Sequence, residues 1–165
     1  MTTPKNRYLS PVDDVYPALP VITSVDINQG DLVYWDGTNY TLKPCASSSD
    51  VEDVFVGVAE NGTPIQVYNE DGDQRAITVR RQGRFRFNTV SGQDYDVGAL
   101  VTVGTDAQTV TPASATTTNA VGRVVGPLPV TPRPSQATPV PESTAGGTGV
   151  EVEVVIMPQY PTLRS

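Results

Sequence analysis

Hydrophobic and polar positions alternate along this chain in short runs, and the runs have the period of strands. They are Val21–Ile27, Asp31–Trp35, Tyr40–Lys43, Val54–Ala59, Ile65–Tyr68, Ala76–Arg81, Arg84–Thr89, Leu100–Val103, Thr109–Thr111, Ala120–Val125 and Val150–Met157. Turn signals separate them: Asp36-Gly37, Asn61-Gly62, Asp71-Gly72, Ser91-Gly92 and Gly104. Short alternating runs at this spacing predict an all-β chain, a small β-barrel or sandwich built from hairpins. No window has a helical period. At most one helical turn could form around Ser48–Asp53, where Ser and Asp can cap it.

Two stretches break the pattern. Residues 1–20 contain Pro4, Pro11, Pro17 and Pro20 without periodicity and read as an extended N-terminal arm. Residues 126–149 are rich in Pro, Thr, Ser and Gly and cannot bury enough apolar surface to fold alone. A strong strand, Val150–Met157, follows them. They therefore read as a long insert loop within one barrel domain over residues 21–157, with a C-terminal tail at 158–165.

A weak internal repeat runs through the strands. Gly30-Asp-Leu-Val and Gly98-Ala-Leu-Val each open a 16-residue stretch that aligns without gaps, with Thr41 on Thr109, Leu42 on Val110 and Pro44 on Pro112. Each copy is followed by a Val-Gly pair, Val56-Gly57 and Val121-Gly122. The unit reads as a hairpin followed by a crossing strand, which fits two related hairpins in one barrel. Chance likeness between Val/Thr-rich strands is the competing explanation.

Composition narrows the chemistry. Val and Thr supply 25 and 20 of the 165 residues and Leu only 7, which disfavours a helical bundle. There is no His and one Cys, which removes Ser-His-Asp and Cys-His nucleophiles, histidine metal sites and an internal disulfide. No cofactor or metal site is expected. A net charge of −7 makes the chain a poor nucleic-acid binder. Met1–Asp14 has no apolar core and reads as neither signal peptide nor anchor, and no run is long enough to span a bilayer, so no membrane partner is expected. Cys45 stands between Pro44 and Ala46 and reads as structural rather than as a nucleophile. A phosphate-binding loop needs Gly-Lys-Ser/Thr, and neither Lys5 nor Lys43 follows a glycine.

The candidate contact residues are basic and aromatic. Arg80, Arg81, Arg84 and Arg86 fall within seven positions. If residues 76–87 run extended, Arg80, Gln82, Arg84 and Arg86 share the face opposite Ile77, Val79, Phe85 and Phe87. Arg80, Arg84 and Arg86 would then meet an acidic partner surface or this chain's own carboxylates, and Gly83 could shift the alternation through a bulge. In the arm, Tyr8 and Tyr16 are the candidate contacts. Asn69-Glu-Asp-Gly-Asp lacks the ligand spacing of a calcium loop and reads as a solvated turn. Tyr34, Trp35 and Tyr40 could form a sugar-stacking platform, with cross-strand packing the plainer account.

The ordered motifs support a resemblance. Gly30-Asp-Leu-Val-Tyr-Trp is followed by Phe55-Val-Gly-Val-Ala, Ile77-Thr-Val-Arg-Arg-Gln-Gly-Arg-Phe, Val97-Gly-Ala-Leu-Val, Ala120-Val-Gly-Arg-Val and the Val150–Ile156 strand. Over residues 24–157, apart from the insert, this resembles the capsid decoration (cement) proteins of tailed bacteriophages, small head-stabilising barrels of which some were once labelled recombinases. Two positions depart from that pattern: Ala99 stands where the family often has Asp, and Gln82 where it has Glu. The resemblance implies a non-enzymatic β-barrel, often trimeric, made in the bacterial cytoplasm and seated on the outer capsid surface of the virion. Its implied partners are the major capsid protein and further copies of itself. The matched residues look structural and mark no contact patch. The alternative is a carbohydrate-binding surface adhesin or a tail or head-fibre component. A carboxylate-based hydrolase has no identifiable acid pair.

Overall fold

In a computed structural model of the chain, the residues described are 15–21, 25–37, 41–50, 55–62, 66–67, 74–113, 119–126 and 143–156. The regular structure among them is nearly all strand, with almost no helix. The thirteen strands are β1 (Val15–Val21), β2 (Leu32–Asp36), β3 (Thr41–Pro44), β4 (Phe55–Ala59), β5 (Gln66–Val67), β6 (Gln74–Arg80), β7 (Gly83–Thr89), β8 (Asp94–Asp96), β9 (Leu100–Val103), β10 (Thr109–Pro112), β11 (Gly122–Gly126), β12 (Ser143–Ala145) and β13 (Glu151–Ile156). The expected helical turn is present at residues 48–50, where Asp50 Oδ2 accepts the backbone N–H groups of Ala46 (2.7 Å) and Ser47 (3.0 Å).

The sheets close twice. In the first, neighbours run β1-β3-β2-β4-β6, a β1–β6 pairing closes the ring, and β5 adds to the free end of β6. The second is a closed barrel of β7-β10-β9-β11-β13. The two rings have the same topology, strand for strand. Each begins with a parallel pair, Val21 opposite Leu42 in the first and Thr89 opposite Val110 in the second, 68 residues on in both strands. Val33 lies opposite Gly57 as Val101 lies opposite Gly122. Ala59 lies opposite Val79 as Val124 lies opposite Val154. The sequence repeat is therefore the visible part of a duplicated five-stranded unit. One barrel with two related hairpins was expected; the structure has two closed sheets.

The interiors correspond as well. Val21, Ile27, Val33, Leu42, Ala59, Ile77 and Val79 form the first core. Thr89, Tyr95, Val101, Val110, Val124, Val152 and Val154 occupy the matching places, all buried. Tyr95 stands where the first barrel has Ile27, and its buried phenol acquires two partners. It accepts the Val90 N–H (2.8 Å) and donates to the Val110 carbonyl (2.7 Å). Tyr95→Phe leaves a donor and an acceptor without their partner, so a loss of about 2–3 kcal/mol is expected in chemical denaturation.

Three local expectations change. The first strand is Val15–Val21 rather than Val21–Ile27, so residues 15–20 belong to a barrel and not to an arm. Its register slips between Tyr16 and Leu19, the stretch that contains Pro17. Proline lacks the donor a regular ladder needs and is tolerated at such a bulge. Secondly, β8 and β12 form a separate two-stranded ribbon, and β12 lies inside the segment expected to be an irregular insert. Thirdly, the separate strands expected at 76–81 and 84–89 are present, but they lie in different sheets, so residues 76–87 do not present one continuous face. β6 ends at Arg80 in the first sheet, and β7 opens at Gly83 in the second.

Candidate partner-contact surface

The break between β6 and β7 redistributes the arginines. Arg80 closes β6 and pairs with Glu60. Arg84 and Arg86 sit on the outer face of β7, antiparallel to β13. There Arg86 lies in register with Glu153, while Arg84 Nη1 reaches the Glu153 carboxylate at 3.2 Å. Asn88 faces Glu151 one step further on. The face is thus a mixed ladder of Arg, Asn and Glu, flanked on β11 by exposed Arg123 and Val125. Exposed pairs of this kind contribute about 0–1 kcal/mol and are screened by salt. They set the pattern of the surface more than its stability. Arg80 is not continuous with Arg84 and Arg86, because it belongs to the other barrel. Tyr8 lies outside the described residues. Tyr16 is in β1, and its side chain lies outside them too. The Asn69–Asp73 loop and Tyr40 are likewise outside.

The proposed stacking platform separates in the fold. Tyr34 and Trp35 are consecutive in β2 and point to opposite faces. Trp35 packs against the first core, and Tyr34 against the core shared with the second barrel.

That shared core identifies a feature with no signature in the strand pattern, a seam between the barrels. The outer flank of the first barrel contributes Leu32, Cys45, Phe55 and Val58, each no more than 4% exposed, to the same apolar cluster as Phe87, Val103 and Val110. Across the seam, Leu32 N–H donates to the Ala107 carbonyl (2.8 Å) in the turn between β9 and β10. Gln108 Nε2 donates to Asp31 Oδ1 (2.8 Å), and Asn119 Nδ2 to the Ser48 carbonyl (3.2 Å).

A cleft of about 480 Å³ opens beside these contacts, lined among others by Asp26, Asp31, Cys45 and Asp106. Two of its acids are committed to local structure. Asp31 Oδ2 accepts the Asn28 N–H (2.7 Å), and Asp106 Oδ1 accepts Gln108 N–H (2.9 Å) and Thr109 Oγ1–H (2.8 Å). No group of three or more Cys, Asp or Glu side chains suited to a metal ion occurs among the described residues. One sequence signal of the seam is a difference between repeats: Asp31 in the first copy is Ala99 in the second.

Cys45 lies at the base of this cleft, 1% exposed. Burial pushes its thiol pKa well above the ordinary 9.0, with the Asp50 and Asp31 carboxylates acting in the same direction. The folded state keeps this proton when the unfolded state releases it. Stability from this group is complete below pH 9.0 and falls as pH rises beyond it. Cys45→Ala is expected to flatten the decline in unfolding free energy between about pH 9 and 10, measured by urea titration. The native thiol is expected to react with a disulfide reagent only as fast as the protein opens.

Comparison of the chain with protein-family models, with characterised proteins and with solved structures finds no match. No helix among the described residues is long and apolar enough to cross a membrane.

Proposed function

We propose that the protein is a non-enzymatic capsid decoration protein, which binds the outer surface of a phage head and stabilises it by bridging major capsid protein subunits. One observation carries this reading: the motifs of the resemblance fall, in order, on matching parts of the duplicated barrel. Gly30-Asp-Leu-Val and Val97-Gly-Ala-Leu-Val form the turns into β2 and β9. Phe55-Val-Gly-Val-Ala and Val121-Gly-Arg-Val form β4 and β11, and Val150–Ile156 contains β13.

The physics of such a role is additive. Modest contacts, repeated by the symmetry of a head, together oppose internal pressure. The Arg84/Arg86 ladder supplies cations to capsid carboxylates, and Arg80 a further one on the neighbouring barrel, in competition with Glu153 and Glu60.

The test is binding of the purified chain to heads that lack it. The expected result is saturable binding at a fixed ratio to the major capsid protein, with heads that withstand higher temperature. Arg80→Ser, Arg84→Ser and Arg86→Ser combined are expected to weaken binding at low salt and to change it little at high salt. Absence of saturable binding would sink the proposal.

A further inference from the structure

Each barrel begins with a strand whose parallel partner covers only its last residues. In the second barrel β10 meets β7 at Asn88 and Thr89, while β13 runs along the other side of β7 from Gly83 to Asn88 without a slip. Thr89 N–H donates to the Val150 carbonyl on the β13 side (3.0 Å), and Asn88 N–H to the Gln108 carbonyl on the β10 side (3.0 Å). Successive peptide groups of a strand alternate in this respect. Phe85 and Phe87 therefore bond towards β13, and Arg84 and Arg86 turn their N–H and C=O groups to the side that β10 leaves open. No strand among the described residues pairs with them there.

The two copies of the unit treat this edge differently. Val21 of β1 corresponds to Thr89 of β7, so Pro20 stands at the place of Asn88. Proline has no donor, and the register of β1 also slips between Tyr16 and Leu19. Prolines and bulges keep an exposed edge from pairing with another chain. β7 contains no proline and no slip. Its edge carries two exposed arginines instead. These disfavour a like-charged strand, the β7 of a second copy included, and select one of opposite charge.

The occupied side of β7 shows what the open side fits. On β13, Glu153 lies opposite Arg86 and 3.2 Å from Arg84, while Val152 and Val154 lie opposite Phe87 and Phe85 on the core side. Two arginines thus share one carboxylate, and Phe85 stays half-buried. A strand added on the open side would bring carboxylates beside Arg84 and Arg86 on the outer face, and apolar side chains beside Phe85 on the inner one.

We propose that the open edge of β7 at residues 84–87 docks an extended segment of a partner protein in which acidic and apolar residues alternate. Main-chain hydrogen bonds to Arg84 and Arg86 supply the affinity, and the alternating side chains supply the selectivity. This edge is a property of the barrel alone and is independent of the capsid reading, since no head is needed to test it.

The measurement is hydrogen exchange of the full chain, read amide by amide by NMR, with a blocked Glu-Val-Glu-Val-Glu-Val peptide as the probe. In the chain alone, the Arg84 and Arg86 amides are expected to exchange at least about tenfold faster than those of Phe85 and Phe87. With about 1 mM peptide they are expected to slow at least about tenfold, with Phe85 and Phe87 unchanged. A Lys-Val-Lys-Val-Lys-Val peptide is expected to give no protection. Arg86→Pro removes a donor on the open side and none on the β13 side, and is expected to abolish the protection of Arg84 while the chain still unfolds cooperatively. Arg84→Glu combined with Arg86→Glu changes exposed side chains only, keeps the test decisive should the proline variant fail to fold, and is expected to reverse the preference between the two peptides. Arg84 and Arg86 amides already protected in the chain alone, no slowing with the acidic peptide, faster exchange at Phe85 and Phe87 as β13 is displaced, or equal protection by both peptides would each overturn the proposal.

Discussion

Removing residues 1–21 is expected to unfold the first barrel, whereas removing residues 1–14 leaves both barrels standing. The two truncations differ by little in sequence and by a whole strand in structure. Val15–Val21 is the strand that closes the first ring, with β6 on one side and β3 on the other. Leu19 and Val21 contribute to its core, Val21 being 4% exposed. Without them, β6 and β3 are left with unpaired edges and the core of Ile77, Val79 and Leu42 is opened. Losing several ladder hydrogen bonds and two apolar side chains is of the same order as the roughly 5–15 kcal/mol margin on which a domain of this size stands. Circular dichroism and urea unfolding of the two truncations check this. A native-like transition in the chain lacking residues 1–21 would show that β1 is dispensable. The distinction also governs functional work: only the shorter deletion separates a contact made by the N-terminal residues from the integrity of the barrel.

This strand also illustrates what the sequence conceals. Four prolines in twenty residues read as an arm because proline is a poor strand residue, yet a bulge and a ring-closing position accommodate two of them. The ribbon strands were hidden for a related reason. Asp94-Tyr-Asp is short and polar at both ends, and Ser143-Thr-Ala lies among Pro, Thr and Gly, so neither has an apolar face to detect. Strands that bury Val, Leu or Ile were legible to within one or two residues, β2, β3, β9 and β13 among them.

The repeat was legible at Gly30 and Gly98, where both turns need a positive φ (92° and 89°), and along the hairpins that follow. Its full extent was not. β1 and β7 share no motif, and β6 and β13 match in pattern and not in identity. The arginines were legible as a cluster but not as a surface, since the chain crosses from one sheet to the other between Arg80 and Arg84. The seam was the least legible element. A contact between unlike surfaces imposes no period on either strand, and its side-chain to side-chain hydrogen bond from Gln108 uses an Asp that the second repeat lacks.

Gly57→Ala and Gly122→Ala are expected to destabilise the protein by roughly 3 kcal/mol each, and to lower one shared transition rather than two. The two glycines occupy the same place in the two barrels, where a crossing strand passes under its neighbour. A Cβ on Gly57 would lie 2.2 Å from the Arg80 carbonyl oxygen, and its φ of +155° is one that side chains disfavour. A Cβ on Gly122 would lie 2.3 Å from the Val155 carbonyl oxygen and 2.6 Å from Val154 Cγ1. In both cases the obstacle is backbone of a paired strand, so relief requires the ladder to shift. Gly37→Ala is the control: no atom lies within 4 Å of its Cβ, and the change is expected to stay within about 0.5 kcal/mol. The shared transition follows from the seam. Leu32, Cys45, Phe55 and Val58 belong to one apolar cluster with the interior of the second barrel, so opening either barrel exposes surface that the other had covered. A first-barrel glycine should therefore lower the whole transition by roughly 6–12 °C in differential scanning calorimetry. Two resolved transitions, with Gly57→Ala moving one and Gly122→Ala the other, would mean that the seam does not couple the barrels.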